Sequence, residues 1–142
     1  MNICKKYSVD ICVRFRDIDS MGHVNNAVFF TFFEEGRKAF LNKILNISNP
    51  DDYNFILAHI DCDFLKPVKI NDQITLQLWI GETGSKSFTF IYKLINKEDD
   101  LFVYAKGESV QVFFDYQKNC TMQIPNKFLD KISEYTRKGR IA

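Results

Sequence analysis

The sequence predicts an α+β domain in which a curled antiparallel sheet of five strands wraps one long central helix. Three observations predict it. A run of two-residue alternation opens the chain, a long segment of helical period follows, and further alternating runs come after with only short connections. Short connections make neighbouring strands antiparallel, and one apolar helix supplies the layer against which a sheet face is buried. The chain of 142 residues is read as one domain, residues 1–142.

The first strand rests on Tyr7, Val9, Ile11, Val13 and Phe15 alternating with Ser8, Asp10, Cys12, Arg14 and Arg16. A polar loop, Asp17-Ile18-Asp19-Ser20-Met21-Gly22-His23, leads to Asn25-Asn26, a pair suited to cap a helix because Asn side chains accept bonds from orphan N–H groups. From Ala27 to about Leu45 the period is helical. Phe29, Phe33, Gly36, Phe40 and Ile44 mark one face, and Phe32, Leu41 and Leu45 widen it, so the helix is expected to be wrapped on much of its circumference. Gly36 weakens a helix by about 1 kcal/mol relative to Ala; the expectation is that another backbone approaches it closely.

A turn is expected at Asn49-Pro50-Asp51-Asp52, then a strand over Phe55 to Phe64 that Pro67 ends or bends. Ile74, Leu76, Leu78 and Ile80 alternate in the next strand, and Gly81 to Ser85 reads as a hairpin turn. Phe88, Phe90, Tyr92 and Leu94 alternate in the fourth, Asn96 to Asp100 turn the chain, and Leu101 to Phe114 form a long last strand. Pro125 precedes a short amphipathic helix through about Tyr135, and the basic tail from Arg137 to Arg140 is expected to fray.

Hydrophobic residues make up 46% of the chain, with Phe present 14 times, enough to fill the space between a sheet and a helix. The formal net charge is +1, which gives no electrostatic case for nucleic acid or an anionic membrane; an anionic ligand would need a local cluster. No signal peptide or transmembrane run is visible. Cys4, Cys12, Cys62 and Cys120 are scattered, without C-x-x-C or His at ligand spacing, and read as reduced thiols of a cytoplasmic protein, not as a disulfide framework or zinc site. The Asn46-Ile47-Ser48 and Asn119-Cys120-Thr121 matches to the glycosylation pattern are then chance.

The stretch from Val13 to Leu41 carries the chemistry: Asp17, Asp19, Gly22, His23, Val24, Asn25, Asn26, Glu34 and Arg37 in order. This set resembles the leading motif of the 4-hydroxybenzoyl-CoA thioesterase family, small acyl-CoA thioesterases of hotdog fold. Pro67-Val68, Asp72, Ser87, Asp115 and Ile124-Pro125 extend the resemblance over nearly the whole chain. The sequence departs from the family at Phe29, where Tyr is usual, at Gly36, where Ala is common, and at Asn71, where Gly is usual. Phe29 lacks a hydroxyl that would line the acyl pocket.

The resemblance implies hydrolysis of an acyl-CoA thioester, or of an acyl carrier protein thioester, with no metal and no cofactor. It implies Asp19 as the catalytic carboxylate, acting as nucleophile or as general base toward water. A carboxylate suffices because a thiol of pKa roughly 8.5 leaves readily as thiolate, so little acid help is needed. The backbone N–H of Asn26, at the helix start, is the implied oxyanion donor, reinforced by the helix dipole. His23 either orients substrate or water or is a structural loop residue. Phe29 would line the acyl site, and Lys86 with Ser87 would meet the pantetheine and nucleotide parts of CoA. Family members place the site at a subunit interface, so a homodimer or homotetramer is expected, and unpaired sheet edges point the same way.

Each assignment has a rival. Asp19 alone would read as a turn cap. Asp17 reads as structural, bonding loop amides. Glu34 is the alternative carboxylate, because another hotdog thioesterase clade uses a helical Glu, but an i,i+3 ion pair with Arg37 is the favoured reading. Asp61 and Asp63 share one solvated strand face, which argues against a metal site. A non-catalytic acyl-ligand-binding hotdog is the alternative function, argued against by the intact Asp19 loop. A hydratase would need a His-centred motif that is not found.

Overall fold

A computed structural model describes residues 4–47, 49 and 54–137. Its order is β1 (Tyr7–Ile11), α1 (Asn26–Leu45), β2 (Phe55–Phe64), β3 (Ile74–Thr83), β4 (Ser87–Asn96), β5 (Asp99–Asp115), β6 (Cys120–Thr121) and α2 (Asn126–Ile132), with 3-10 turns at Phe15–Asp17 and Ser133–Tyr135. The sheet runs β1-β3-β4-β5-β2, every pairing antiparallel, and curls about α1 in the hotdog arrangement. The five-strand expectation is corrected to six, since the two-residue β6 pairs with the end of β5. So short a strand leaves no alternation to read. The short second helix stands where Pro125 announced it.

Several boundaries also move. β1 stops at Ile11, short of the expected Phe15, because the chain curls into a 3-10 turn in which Asp17 Oδ2 accepts the Arg14 N–H at 2.9 Å. That leaves Phe15 83% exposed. Gly81 lies inside β3, not in a turn; the hairpin turns at 84–86, after a register shift between Ile80 and Thr83, and Gly84 N–H donates to Ser87 O at 2.7 Å. The next hairpin is tighter than expected, with Asn96 opposite Asp99. Asn46 caps the end of α1 at φ 56°, and Asn119 stands at φ 55°; both serve left-handed backbone, which Asn tolerates. Of the expected turn at 49–52, residues 50–52 lie outside the described residues, as do 138–140 of the basic tail.

The core is the contact between α1 and the inward rows of β3 and β4. Phe29, Phe32, Phe33, Gly36, Phe40, Leu41 and Leu45 of α1 are buried, as are Ile74, Leu76, Leu78 and Ile80 of β3 and Phe88, Phe90, Tyr92 and Leu94 of β4. Phe33 stacks on Tyr92 with centroids 4.3 Å apart and planes at 3°, and Phe40 meets Phe90 edge-on at 5.3 Å. Burying each such ring contributes roughly 1.5–3 kcal/mol. Gly36 faces the Leu76 side chain, which a Cβ there would strike, so the close neighbour is a side chain and not the expected backbone.

A polar chain crosses this core. Arg37 Nη1 donates to Tyr92 Oη at 3.0 Å, Tyr92 Oη meets Ser109 Oγ, Ser109 Oγ donates to Gln111 Oε1, and Gln111 Nε2 donates to Phe88 O at 3.2 Å. Burial pushes the Tyr92 hydroxyl pKa up, with Arg37 opposing. Every fully buried side-chain N or O among the described residues has a partner, so the chain is polar without an unsatisfied group.

Candidate active site

The loop before α1 is a pinned hairpin. Ile18 bridges to Val24, Asp19 N–H donates to His23 O at 2.8 Å, and Gly22 N–H donates to Asp19 O at 3.1 Å. Gly22 sits at φ 81°, a left-handed conformation that only Gly takes at no cost. Asp19 Oδ1 accepts from Met21 N–H at 2.9 Å and from His23 N–H at 3.3 Å. The turn-capping reading of Asp19 is thus realised by one carboxylate oxygen. Two further bonds fix the loop against the body: Asn25 N–H donates to Asp17 O at 2.9 Å and Val24 N–H to Val68 O at 2.8 Å.

The loop then delivers the start of α1. Asn25 is the N-cap, its Oδ1 accepting from Ala27 N–H at 2.8 Å. Asn26 is the first helical residue, and its N–H has no acceptor among the described residues. The first N–H groups of a helix lack intrahelical partners and carry the positive end of the helix dipole. Asp19, His23, Val24, Asn26 and Phe29 line one cleft of about 200 Å³, closed on its other side by Phe64, Leu65, Lys66 and Pro67. Phe29 is buried and meets Phe64 edge-on at 5.1 Å, so the inner end of the cleft is aromatic.

That far wall was missed in the sequence. The signal was Pro67-Val68 in the extended motif, whose meaning appears only once Val68 O is seen holding Val24. The carbonyl of Tyr104 accepts from both Leu65 and Lys66 N–H, at 2.8 and 3.0 Å, and sets the wall against β5.

Residues 13–132 match the thioesterase-like superfamily. The chain belongs to that superfamily. Its class of reaction is thioester hydrolysis. Over 137 residues the chain is 30% identical to a chloroplastic acyl-acyl carrier protein thioesterase of Arabidopsis thaliana, covering 92% of this chain and 70% of that one. It is 30% identical over 90 residues to the Bacillus subtilis protein YsmA, covering 63% of this chain and 61% of YsmA, so the match spans under two thirds of that relative. A Thermus thermophilus thioesterase crystallised with coenzyme A and zinc superposes with TM-score 0.76 at 27% identity, covering 88% of this chain and 90% of that one.

Within this thioesterase, Lys86 and Ser87 stand apart from the cleft. Ser87 pairs with Val112 and Phe64 with Ala105, seven residues along β5, or about 23 Å at roughly 3.3 Å per residue. Lys86 Nζ donates to Thr121 Oγ1 at 3.3 Å. The expected Glu34–Arg37 ion pair is absent among the described residues: Arg37 turns inward to Tyr92, and Glu34 is exposed. The pairing carboxylate is instead Glu35, 4.0 Å from Arg14, with burial raising its pKa.

Asp61 and Asp63 do lie on the outer face of β2, where His59 Nε2 is 2.9 Å from Asp61 Oδ2. No group of three His, Cys, Asp or Glu among the described residues is placed to hold a metal ion. Burial, with Asp63 and Asp61 adding to it, pushes the Cys62 thiol up to about 12, the opposite of what a nucleophilic thiolate needs.

Proposed function

We propose that this thioesterase hydrolyses acyl-CoA thioesters with Asp19 as the working carboxylate. The observation that carries the reading is one cleft holding both the Asp19 carboxylate and the unpartnered N–H of Asn26. Asp19, steadied through Oδ1, attacks the thioester carbonyl with its other oxygen or draws a proton from the water that does. The Asn26 N–H, at the positive end of α1, receives the charge that develops on the carbonyl oxygen. Collapse of the oxyanion breaks the C–S bond and expels the thiolate. On the nucleophilic route water then hydrolyses the acyl–Asp19 anhydride to the free acid, and on the general-base route the proton held by Asp19 passes to the thiolate. His23, in the cleft wall, orients substrate or water, and Phe29 with Phe64 accepts an apolar acyl group.

The site is proposed to be completed by a second copy. β2 is an edge of the sheet, ten residues long, and an open edge offers unpaired N–H and C=O groups. An antiparallel partner strand would lay its Phe55 end beside this chain's Phe64 end. Phe55 pairs with Phe113, whose N–H donates to Lys86 O at 2.8 Å. The partner subunit's Lys86 and the partner subunit's Ser87 would so approach this cleft and take the phosphates and pantetheine of CoA. A homodimer, or a homotetramer built from it, follows. We place the protein in the cytoplasm as a single domain; no helix among the described residues is long and apolar enough to cross a membrane.

The Arabidopsis relative favours one second reading, an acyl carrier protein as the thiol. Thiol release from short, long and aromatic acyl-CoAs, beside the matching carrier-protein thioesters, tests both. Turnover of CoA thioesters is expected. Binding of acyl-CoA without thiol release from either series would make the protein a non-catalytic acyl-ligand binder.

A further inference from the structure

A second groove, of about 280 Å³, lies outside the Asp19 cleft and is lined by Lys6, Trp79, Ile91, Lys93 and Lys106. Strand alternation sends Tyr92 and Leu94 inward against α1, so Ile91 and Lys93 face the convex side of the sheet, with Trp79 and Lys106 beside them. Lys93 and Lys106 are direct cross-strand partners. Two like charges in that position repel, and such a pair is ordinarily avoided. Lys6 adds a third cation, its Nζ 4.6 Å from the centre of the Trp79 ring.

None of the three lysines is in an ion pair among the described residues. The carboxylates in register with this patch are Asp63, opposite Lys106, and Glu108, opposite Ile91, and neither lines the groove. A chain of net charge +1 therefore gathers three cations around an aromatic platform with no anion among the lining residues. Phosphate oxygens answer the lysines, and a flat ring answers Trp79 and Ile91.

We propose that this convex groove binds a phosphorylated nucleoside, its base against Trp79 and Ile91 and its phosphates between Lys93 and Lys106. The groove opens on the sheet face away from α1, so the proposal stands apart from the thioesterase chemistry.

Trp79 is the only tryptophan in the chain and reports on its own groove. Titration of the full-length protein with ATP should change its fluorescence saturably, with affinity falling as salt is raised. Lys93→Gln should weaken ATP binding at least tenfold. It should also raise the melting temperature of the ligand-free protein, because the repulsion with Lys106 is gone, while shrinking the stabilisation by ATP. No saturable response to millimolar ATP would overturn the proposal. So would ATP affinity unchanged in Lys93→Gln, or binding of polyglutamate but not ATP, which would make the groove a contact for an acidic protein surface.

Discussion

Single residues here are read best through what their neighbours leave free. Glu34 was legible as a candidate carboxylate, yet the sequence could not show that the helix turns Arg37 inward to Tyr92 and leaves Glu34 in solvent. Glu34→Gln should keep kcat within about twofold of wild type, as expected of an exposed side chain outside the cleft; steady-state thiol release checks it. Cys62 makes a different prediction. Its thiol rises from an ordinary 9.0 to about 12, so the folded state holds the proton more tightly than the unfolded chain. A group raised in this way costs nothing while both states are protonated, and stability falls as pH climbs from about 9 toward 12. Tyr92, raised by burial from 10.0, adds to the loss at the upper end of that window. Cys62→Ala should flatten the alkaline loss measured by urea melts between these limits, although half-exposure of the strand limits the size of the change.

At the scale of elements, the order of helix and strands was legible because each has its own period. The Phe-rich face of α1 and the alternation of β3 and β4 reappear as the buried rows. What failed were the ends, where hydrogen bonds and not periodicity decide. Asp17 stops β1 early, and a register shift pulls Gly81 into β3. The Asp19 loop was legible as a motif, but its hairpin closure was not, since the Val24–Val68 bond joins segments far apart in sequence. Gly22 is its hinge. Nothing lies within 4 Å of a Cβ placed there, so Gly22→Ala meets backbone strain at φ 81° and no clash. That strain is worth about 1–2 kcal/mol, and a domain of this size should lose roughly 3–6 °C in melting temperature. Gly22→Asn, which tolerates left-handed backbone, should lose less. If Ala and Asn melted alike at the wild-type temperature, the loop would not depend on this conformation.

For the whole molecule, the cleft was legible in part. Asp19, His23, Asn26 and Phe29 converge as one site, while Lys86 lies at the far end of β5. Within one chain these ends stay apart; on the reading proposed above, a second copy across the open edge of β2 would join them. Lys86→Ala should therefore raise KM for acyl-CoA more than it lowers kcat, because a phosphate contact remote from the carbonyl gives mainly uniform binding. Carrier-protein thioesters should barely notice the change. Sedimentation that showed an active monomer at micromolar concentration would remove the interface from the account. The most direct test keeps fold and assembly constant and takes away only the charge. Asp19→Asn should melt and sediment like wild type while kcat for thiol release from the best acyl-CoA falls on the order of a hundredfold or more. A near-normal kcat in Asp19→Asn would contradict the assignment of the chemistry to this carboxylate.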